Sequence, residues 1–260
     1  MAGAAQKAAR GLIRDFGEVE QLQVSVKGPA DFVSAADLRA ERTLRAELSR
    51  ARPAFGLLME EQGETKGSDD ANRWIVDPLD GTTNFLHGIP HFCISIAHES
   101  EGRIVAGVVY DPLRDETFWA EKGVGAYLNR NRLRVSGRKK LGEAVFATGI
   151  PFADMPDQDR FLRTLAAVMP ATAGVRRQGS AALDLAYVAA GRYEAFWEYG
   201  LKPWDIAAGV LLVQEAGGFV SEIGGRPRQH GHVPENGDVL ATNTDLHEPA
   251  QKLLKAAHTP

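Results

Sequence analysis

Residues 34–51 carry Ala40, Leu44 and Leu48 on one helical stripe, with Ser34 and Asp37 placed as a capping box and Pro53 just past the end, so this stretch predicts a helix. A shorter first helix has room at about 4–16. Residues 55–59 and 73–77 are compact apolar runs of strand length; between them, 62–71 is polar and glycine-bearing and predicts a mobile loop. From 92 to 136 the pattern changes to alternation. Phe92, Ile94 and Ile96 share a face, Glu101-Gly102 marks a turn, and apolar stretches at 104–110 and 116–120 complete an antiparallel meander. The remainder alternates strand with helix: strands at 144–148, 175–178 and 193–197, helices near 160–168, at 180–190 before Gly191, and at about 204–216 before Gly217-Gly218. Such alternation implies an α/β layer. No repeat or long Ser/Pro/Gly linker interrupts the chain, so one domain over 1–260 is expected, with halves at about 1–140 and 141–260.

Composition narrows the class. With 260 residues and 44% hydrophobic content, the chain is long enough for a sizeable core. A net charge of −4 argues against a generic nucleic-acid binder, and the basic run at 130–140 is interleaved with Leu133 and Val135, as in a strand followed by a solvated turn. The lone Cys93 cannot form an internal disulfide and sits in an apolar strand, which fits a buried thiol in a reducing compartment. Neither a signal-type apolar core nor a run of membrane-spanning length is present, so a soluble cytoplasmic protein is expected.

The chemistry gathers where apolar runs end in carboxylates. Trp74-Ile75-Val76 leads into Asp77-Pro78-Leu79-Asp80-Gly81-Thr82-Thr83; Leu57-Leu58-Met59 leads into Glu60-Glu61; and Lys202-Pro203-Trp204 precedes Asp205. Asp-Pro and Asp-Gly are common turn dipeptides, and a single such carboxylate would be read as a cap. Three acidic strand and helix ends in one chain instead form a constellation suited to a hard cation, because Mg²⁺ is held by one or two carboxylates together with waters and phosphate oxygens. Backbone N–H groups at Gly81, Thr82 and Thr83, if they open a helix, would face the same point.

With these residues in view, the chain resembles the inositol monophosphatase family. WIVDPLDGTTNF at 74–85 and WDIAAGVLLVQEAGG at 204–218 match its two signatures, and the segments around Asp37, Glu60-Glu61, Gly107-Val108-Val109-Tyr110 and Gly179-Ser180-Ala181-Ala182 follow in the family's order. The first helix is shorter than the family usually has. The resemblance implies a layered αβαβα sandwich and a lithium-sensitive phosphatase using about two or three Mg²⁺ per site and an attacking water. Carried over residue by residue, Glu60, Asp77 and the Leu79 carbonyl would hold one ion, and Asp77, Asp80 and Asp205 another. Thr82, paired with Asp37, and Glu60 would orient the water. Asp80, Gly81, Thr82, Gly179, Ser180, Ala181, Glu198 and Asp205 would contact substrate.

On spacing alone, Glu198 is an ordinary strand-end charge and Asp37 an ordinary cap. The expected partners are a small phosphorylated polyol and a second copy of the chain, with no membrane. Histidinol-phosphate, 3′-phosphoadenosine 5′-phosphate and fructose-1,6-bisphosphate phosphatases share the acidic turn and remain alternatives, as does a protein-binding scaffold that keeps the fold. His230 and His232 lack a third ligand at zinc spacing and read as loop residues, His87 and His91 fall where they could line the mouth of the site, and Gly123-Val124-Gly125 reads as a turn.

Overall fold

The computed structural model describes residues 1–18, 24–28, 31–151, 158–228 and 230–257, with the backbone alone described at 24–28 and 31–34. Its first layer is helical. α1 (Ala2–Phe16) turns Ala4, Ala5, Ala8, Ala9 and Leu12 toward α2 (Ala35–Ala51), which answers with Ala36, Ala40, Leu44 and Leu48. Small side chains let the two axes approach closely, and the buried Asp15 of α1 is held by Arg39 of α2 across 2.6 Å. Between the helices lies an antiparallel hairpin, β1 (Val24–Gly28) and β2 (Asp31–Ser34). Ser34 therefore closes a strand, and its proposed capping contact lies outside the described side chains.

The second layer is an eight-stranded sheet. It contains β3 (Phe55–Met59), β4 (Gly63–Thr65), β5 (Asp69–Asp80), β6 (Cys93–Ser100), β7 (Arg103–Asp111), β8 (Glu116–Glu121), β9 (Gly125–Leu128) and β10 (Asn131–Arg132), with α3 (Thr82–Leu86) between β5 and β6. The strand order is β10-β9-β8-β7-β6-β5-β3-β4, and only β3 and β5 run parallel. The meander expected from alternation is present. The loop expected at 62–71 is largely absent: Gly63, at φ +70°, turns the chain back so that β4 pairs with β3, and β5 already begins at Asp69. Polar side chains along an exposed edge strand conceal sheet from a hydrophobic pattern.

The third and fifth layers flank a five-stranded sheet in the order β12-β11-β13-β15-β14. Its elements are β11 (Val145–Thr148), α4 (Gln158–Val168), β12 (Gly174–Arg176), α5 (Ala181–Ala189), β13 (Ala195–Glu198), α6 (Pro203–Glu215), β14 (Phe219–Glu222), β15 (Val239–Thr242) and α7 (His247–Ala256). α5 and α6 lie between the two sheets, while α4 and α7 cover the far side. This is the expected αβαβα sandwich. Strand alternation feeds adjacent cores: Trp74 and Val76 face α1 and α2 while Ile75 faces α6, and Trp197 faces α4 and α7 while Phe196 faces α5 and α6.

α6 is apolar around its whole circumference because sheet lies on both sides of it. Its approach is tight. A Cβ at Gly107 of β7 would stand 3.0 Å from the Cα of Ala208, and one at Gly209 would stand 2.5 Å from the Cβ of Leu185 on α5. Helix propensity alone favours Gly209→Ala by about 1 kcal/mol, whereas overpacking a core costs roughly 1–3 kcal/mol. We expect the collision to win, so Gly209→Ala should lower the thermal unfolding midpoint; an unchanged or raised midpoint would show that the α5–α6 crossing has room to give.

Candidate active site

Parallel pairing of β3 with β5 sets Met59 against Val76, and the N–H of Glu60 then donates to the carbonyl of Val76 (3.2 Å), which lays Glu60 beside Asp77. On the other edge of β5 the register against β6 slips between Asp77 and Asp80. In a regular strand two residues three apart point to opposite faces. The irregularity at Pro78 and Leu79, where proline also lacks an N–H, cancels that parity and directs both carboxylates into one cavity. Gly81 follows at φ +98°, where a Cβ would stand 3.0 Å from the carbonyl of His91, so this left-handed turn into α3 requires glycine.

The cavity, about 480 Å³, is lined by Glu60, Asp77, Leu79, Asp80, Gly81, Thr82 and Thr83 on one side and by Gly179, Ser180, Ala181, Glu198 and Asp205 on the other. All metal and substrate candidates chosen from the sequence therefore meet here, and Asp37 reaches the site through Thr82. The Thr82 hydroxyl stands 3.0 Å from both Asp37 Oδ1 and the Leu79 carbonyl. It has one proton. Directed to the buried carboxylate of Asp37, it leaves the Leu79 carbonyl lone pairs available to a cation.

Protein donors hold one oxygen of each of three acids. Asp77 Oδ1 accepts the N–H of Leu79 (2.9 Å), Asp80 Oδ2 accepts the Ser180 hydroxyl and the Ala182 N–H (2.7 Å each), and Asp205 Oδ2 accepts the N–H of Lys202 (2.7 Å) in the first turn of α6. The Ser180 hydroxyl is thus directed at Asp80. Among the described residues no three His, Cys, Asp or Glu side chains close into a ready cation cage. The donors that line the cavity, the carboxylates of Glu60, Asp77, Asp80 and Asp205 with the Leu79 carbonyl, are all oxygens and so suit a hard cation such as Mg²⁺, which keeps waters and phosphate oxygens in its shell.

Burial and mutual repulsion make the metal-free cluster basic. Burial, then Glu60, Asp80 and Asp205, hold Asp77 well above the usual carboxylate range. Burial raises Asp80 to about 6 against the Ser180 and Ala182 donors; burial and then Asp80 raise Asp205 and Glu198 to about 8 each. A hard divalent cation relieves this repulsion and competes with the protons.

The far wall contains residues that sequence patterns did not single out. Arg177 is the cation facing Asp184 and Glu198, and Asp184 is a buried acid whose Oδ1 lacks a hydrogen-bond partner. Gly149, immediately after β11, leaves the space occupied by the Glu198 carboxylate, with which any Cβ there would collide. Asn84 donates its amide to the carbonyls of His91 and Gln178 (2.7 Å each), tying the acidic turn to the Gly179 loop. Asn84 does sit inside the 74–85 segment that drew attention and Asp184 lies just past Gly179-Ser180-Ala181-Ala182; Gly149 and Arg177 carry no local signal.

Other candidates lie elsewhere. His87 is exposed outside the cavity lining, and His91 is buried edge-on to Tyr187 at 5.9 Å, with burial lowering its pKa to about 4. Neither lines the mouth. Cys93 is a buried thiol 3.8 Å from Asp80 Oδ2. Glu215 accepts the N–H groups of Gly123 and Gly125, which form the expected turn, and stands 3.4 Å from His230 in its loop. No helix among the described residues is long and apolar enough to cross a membrane.

A sequence model of the inositol monophosphatase family matches residues 1–259. An inositol-1-monophosphatase from Mesorhizobium japonicum is 56% identical over 100% of this chain and 95% of its own length. A protein named Nus factor SuhB from Pseudomonas aeruginosa is 48% identical over 93% of this chain and 89% of its own. The crystal structure of the extragenic suppressor protein suhB from Bartonella henselae superposes with a TM-score of 0.93 at 53% identity, covering 98% of this chain and 96% of that one.

The raised carboxylates fix the sign of a pH effect. Without metal, the folded protein holds protons on Asp80, Asp205 and Glu198 that the unfolded chain has released, so its stability should fall as pH rises from about 4 to about 8. Mg²⁺ displaces those protons, and its stabilisation should grow through the same window. Thermal melts with Mg²⁺ and with chelator at successive pH values check this; a Mg²⁺ increment that stays constant from pH 5 to 8 would remove the linkage.

Proposed function

The chain belongs to the inositol monophosphatase family, and on that premise we propose that this phosphatase hydrolyses inositol monophosphate to inositol and phosphate in a Mg²⁺-dependent reaction. The observation that carries the reading is the convergence of Glu60, Asp77, Asp80 and Asp205 on one cavity whose opposite wall presents Glu198 and Arg177. Glu60, Asp77 and the Leu79 carbonyl would hold one ion, and Asp77, Asp80 and Asp205 a second. Bound there, Mg²⁺ would neutralise phosphoryl charge and acidify water at neutral pH.

The protein's own groups account for orientation. Thr82, whose hydroxyl meets Asp37, and Glu60 both line the cavity and would orient the attacking water, while the N–H groups of Gly81 and Thr82 would serve a phosphate. Glu198 accepts hydrogen bonds from the hydroxyls of the leaving alcohol, beside the backbone of Gly179, Ser180 and Ala181. The assembly that accompanies this reading is a homodimer in the cytoplasm. A protein-binding scaffold that keeps the fold is the second reading, and relatives 48% and 45% identical that carry the name Nus factor SuhB keep it in play.

Two measurements separate these claims. Asp77→Asn keeps an acceptor for the Leu79 N–H but removes the charge proposed to serve both ions. It should cost well over tenfold in kcat, more than about 1.4 kcal/mol of barrier, while raising the thermal midpoint of the metal-free protein above wild type because repulsion is relieved. Retention of a tenth or more of kcat at saturating Mg²⁺ would sink the assignment.

In a panel of monoesters, myo-inositol 1-phosphate should be turned over better than histidinol phosphate, fructose 1,6-bisphosphate or 3′-phosphoadenosine 5′-phosphate. Glu198→Gln should lower kcat/KM for inositol phosphate much more than for 2-glycerophosphate, since a site built to bond hydroxyls discriminates through the groups it leaves unpaired. A wild-type preference for histidinol phosphate would reassign the substrate.

A further inference from the structure

α2 carries a second stripe beside its apolar one. Asp37, Glu41 and Arg45 stand four residues apart and so lie on one face, one turn above another. Each meets a different segment: Thr82 of the site, the turn that begins at Glu60, and β4. Asp37 accepts the Thr82 hydroxyl at 3.0 Å. Glu41, fully buried, accepts the N–H of Glu61 on Oε2 at 2.9 Å. Arg45 donates to Gln62 Oε1 at 3.0 Å and to Thr65 Oγ1 on β4 at 3.1 Å.

A glutamate at complete burial is costly unless its charge is met by donors. Here burial raises the Glu41 carboxyl above the usual range, and the donors of the turn after β3, the N–H of Glu61 and the N–H and side chain of Gln62, offset that rise only in part. Glu60 is the first residue of that turn. Its own N–H is fixed to Val76 on β5, so once the N–H of Glu61 is anchored on Glu41 the peptide planes before and after the Glu60 Cα are each tied by a hydrogen bond. Arg45 secures the next residue, Gln62, and Thr65 on β4. The same helix therefore sets Thr82 from one turn and the residue after Glu60 from the next, which fixes the separation of Thr82 and Glu60 along one side of the cavity.

We infer that Glu41, supported by Arg45, is a positioning residue that holds Glu60 in its cation-binding orientation, with no contact to substrate of its own. The inference rests on the proposed role of Glu60. Glu41→Met removes the acceptor while nearly conserving volume, Glu41→Gln restores an acceptor oxygen without the charge, and Arg45→Ala loosens the outer turn from a partly exposed position.

Calorimetric titration of metal-free protein with Mg²⁺ should show about tenfold weaker binding for Glu41→Met, about threefold weaker for Arg45→Ala, and recovery to within about threefold of wild type for Glu41→Gln. Amide hydrogen exchange at Glu61 should accelerate in Glu41→Met and return toward wild type in Glu41→Gln. The Mg²⁺ concentration giving half-maximal activity should rise in the same order, with the KM for inositol phosphate at saturating Mg²⁺ unchanged. Should Glu41→Met fail to fold, Arg45→Ala bears the test. Folded variants that bind Mg²⁺ within twofold of wild type would overturn the inference if Glu60→Gln, measured alongside, weakens binding; if Glu60→Gln also binds normally, the assignment of Glu60 itself fails.

Discussion

Repulsion among carboxylates at the end of β5 is the constraint around which this molecule is arranged. Asp77 is 2% exposed and lies within electrostatic reach of Glu60, Asp80 and Asp205, so a fold that gathers these groups sacrifices stability at neutral pH unless a cation or protons balance them. The surrounding structure supplies partial relief with backbone donors at Leu79, Ala182 and Lys202, each meeting a single oxygen. The remaining deficit is the binding energy available to a divalent ion. Affinity for metal and instability without it have one origin.

Gathering the acids requires elements from distant parts of the chain to be held in a fixed relation. β3 and β5 bring Glu60 to Asp77 through a parallel pair, the irregularity at Pro78 and Leu79 turns Asp80 to the same side, and α6 brings Asp205 from the layer between the sheets. α6 can do so because it is apolar all round and packed without slack against Gly107 and α5. The opposite wall follows the same logic: the absent side chain at Gly149 leaves space for Glu198, and Asn84 ties the acidic turn to the loop before α5. Small residues and amides, away from any reacting group, determine where the charged ones stand.

The helices, the meander and the α/β half were legible because their signals are local, whereas their stacking into an αβαβα sandwich came through the family resemblance. Helical stripes such as Ala40, Leu44 and Leu48, alternation along β6, and carboxylates stopping apolar runs are patterns of a few residues. The metal candidates were equally visible, though their roles came through family resemblance. What escaped has the opposite character. β4 is polar and short, and its pairing with β3 depends on the turn at Gly63. Glu41 and Arg45 look like the solvated side of an amphipathic helix, yet that side meets the turn after β3. Arg177 and Gly149 matter through contacts with residues distant in sequence, and His91 belongs to the core although it lies close to the signature.

The central claim is that the acidic cluster is a cation site shared by Asp77, and crystals grown with Mn²⁺ in place of Mg²⁺ test it most directly. Anomalous difference maps should show peaks within the cavity, one bounded by Glu60, Asp77 and the Leu79 carbonyl and one by Asp77, Asp80 and Asp205, with the Asp77 carboxylate between them. Crystals of active protein at saturating Mn²⁺ with no anomalous peak beside Asp77, or with peaks confined to other surfaces, would contradict the account.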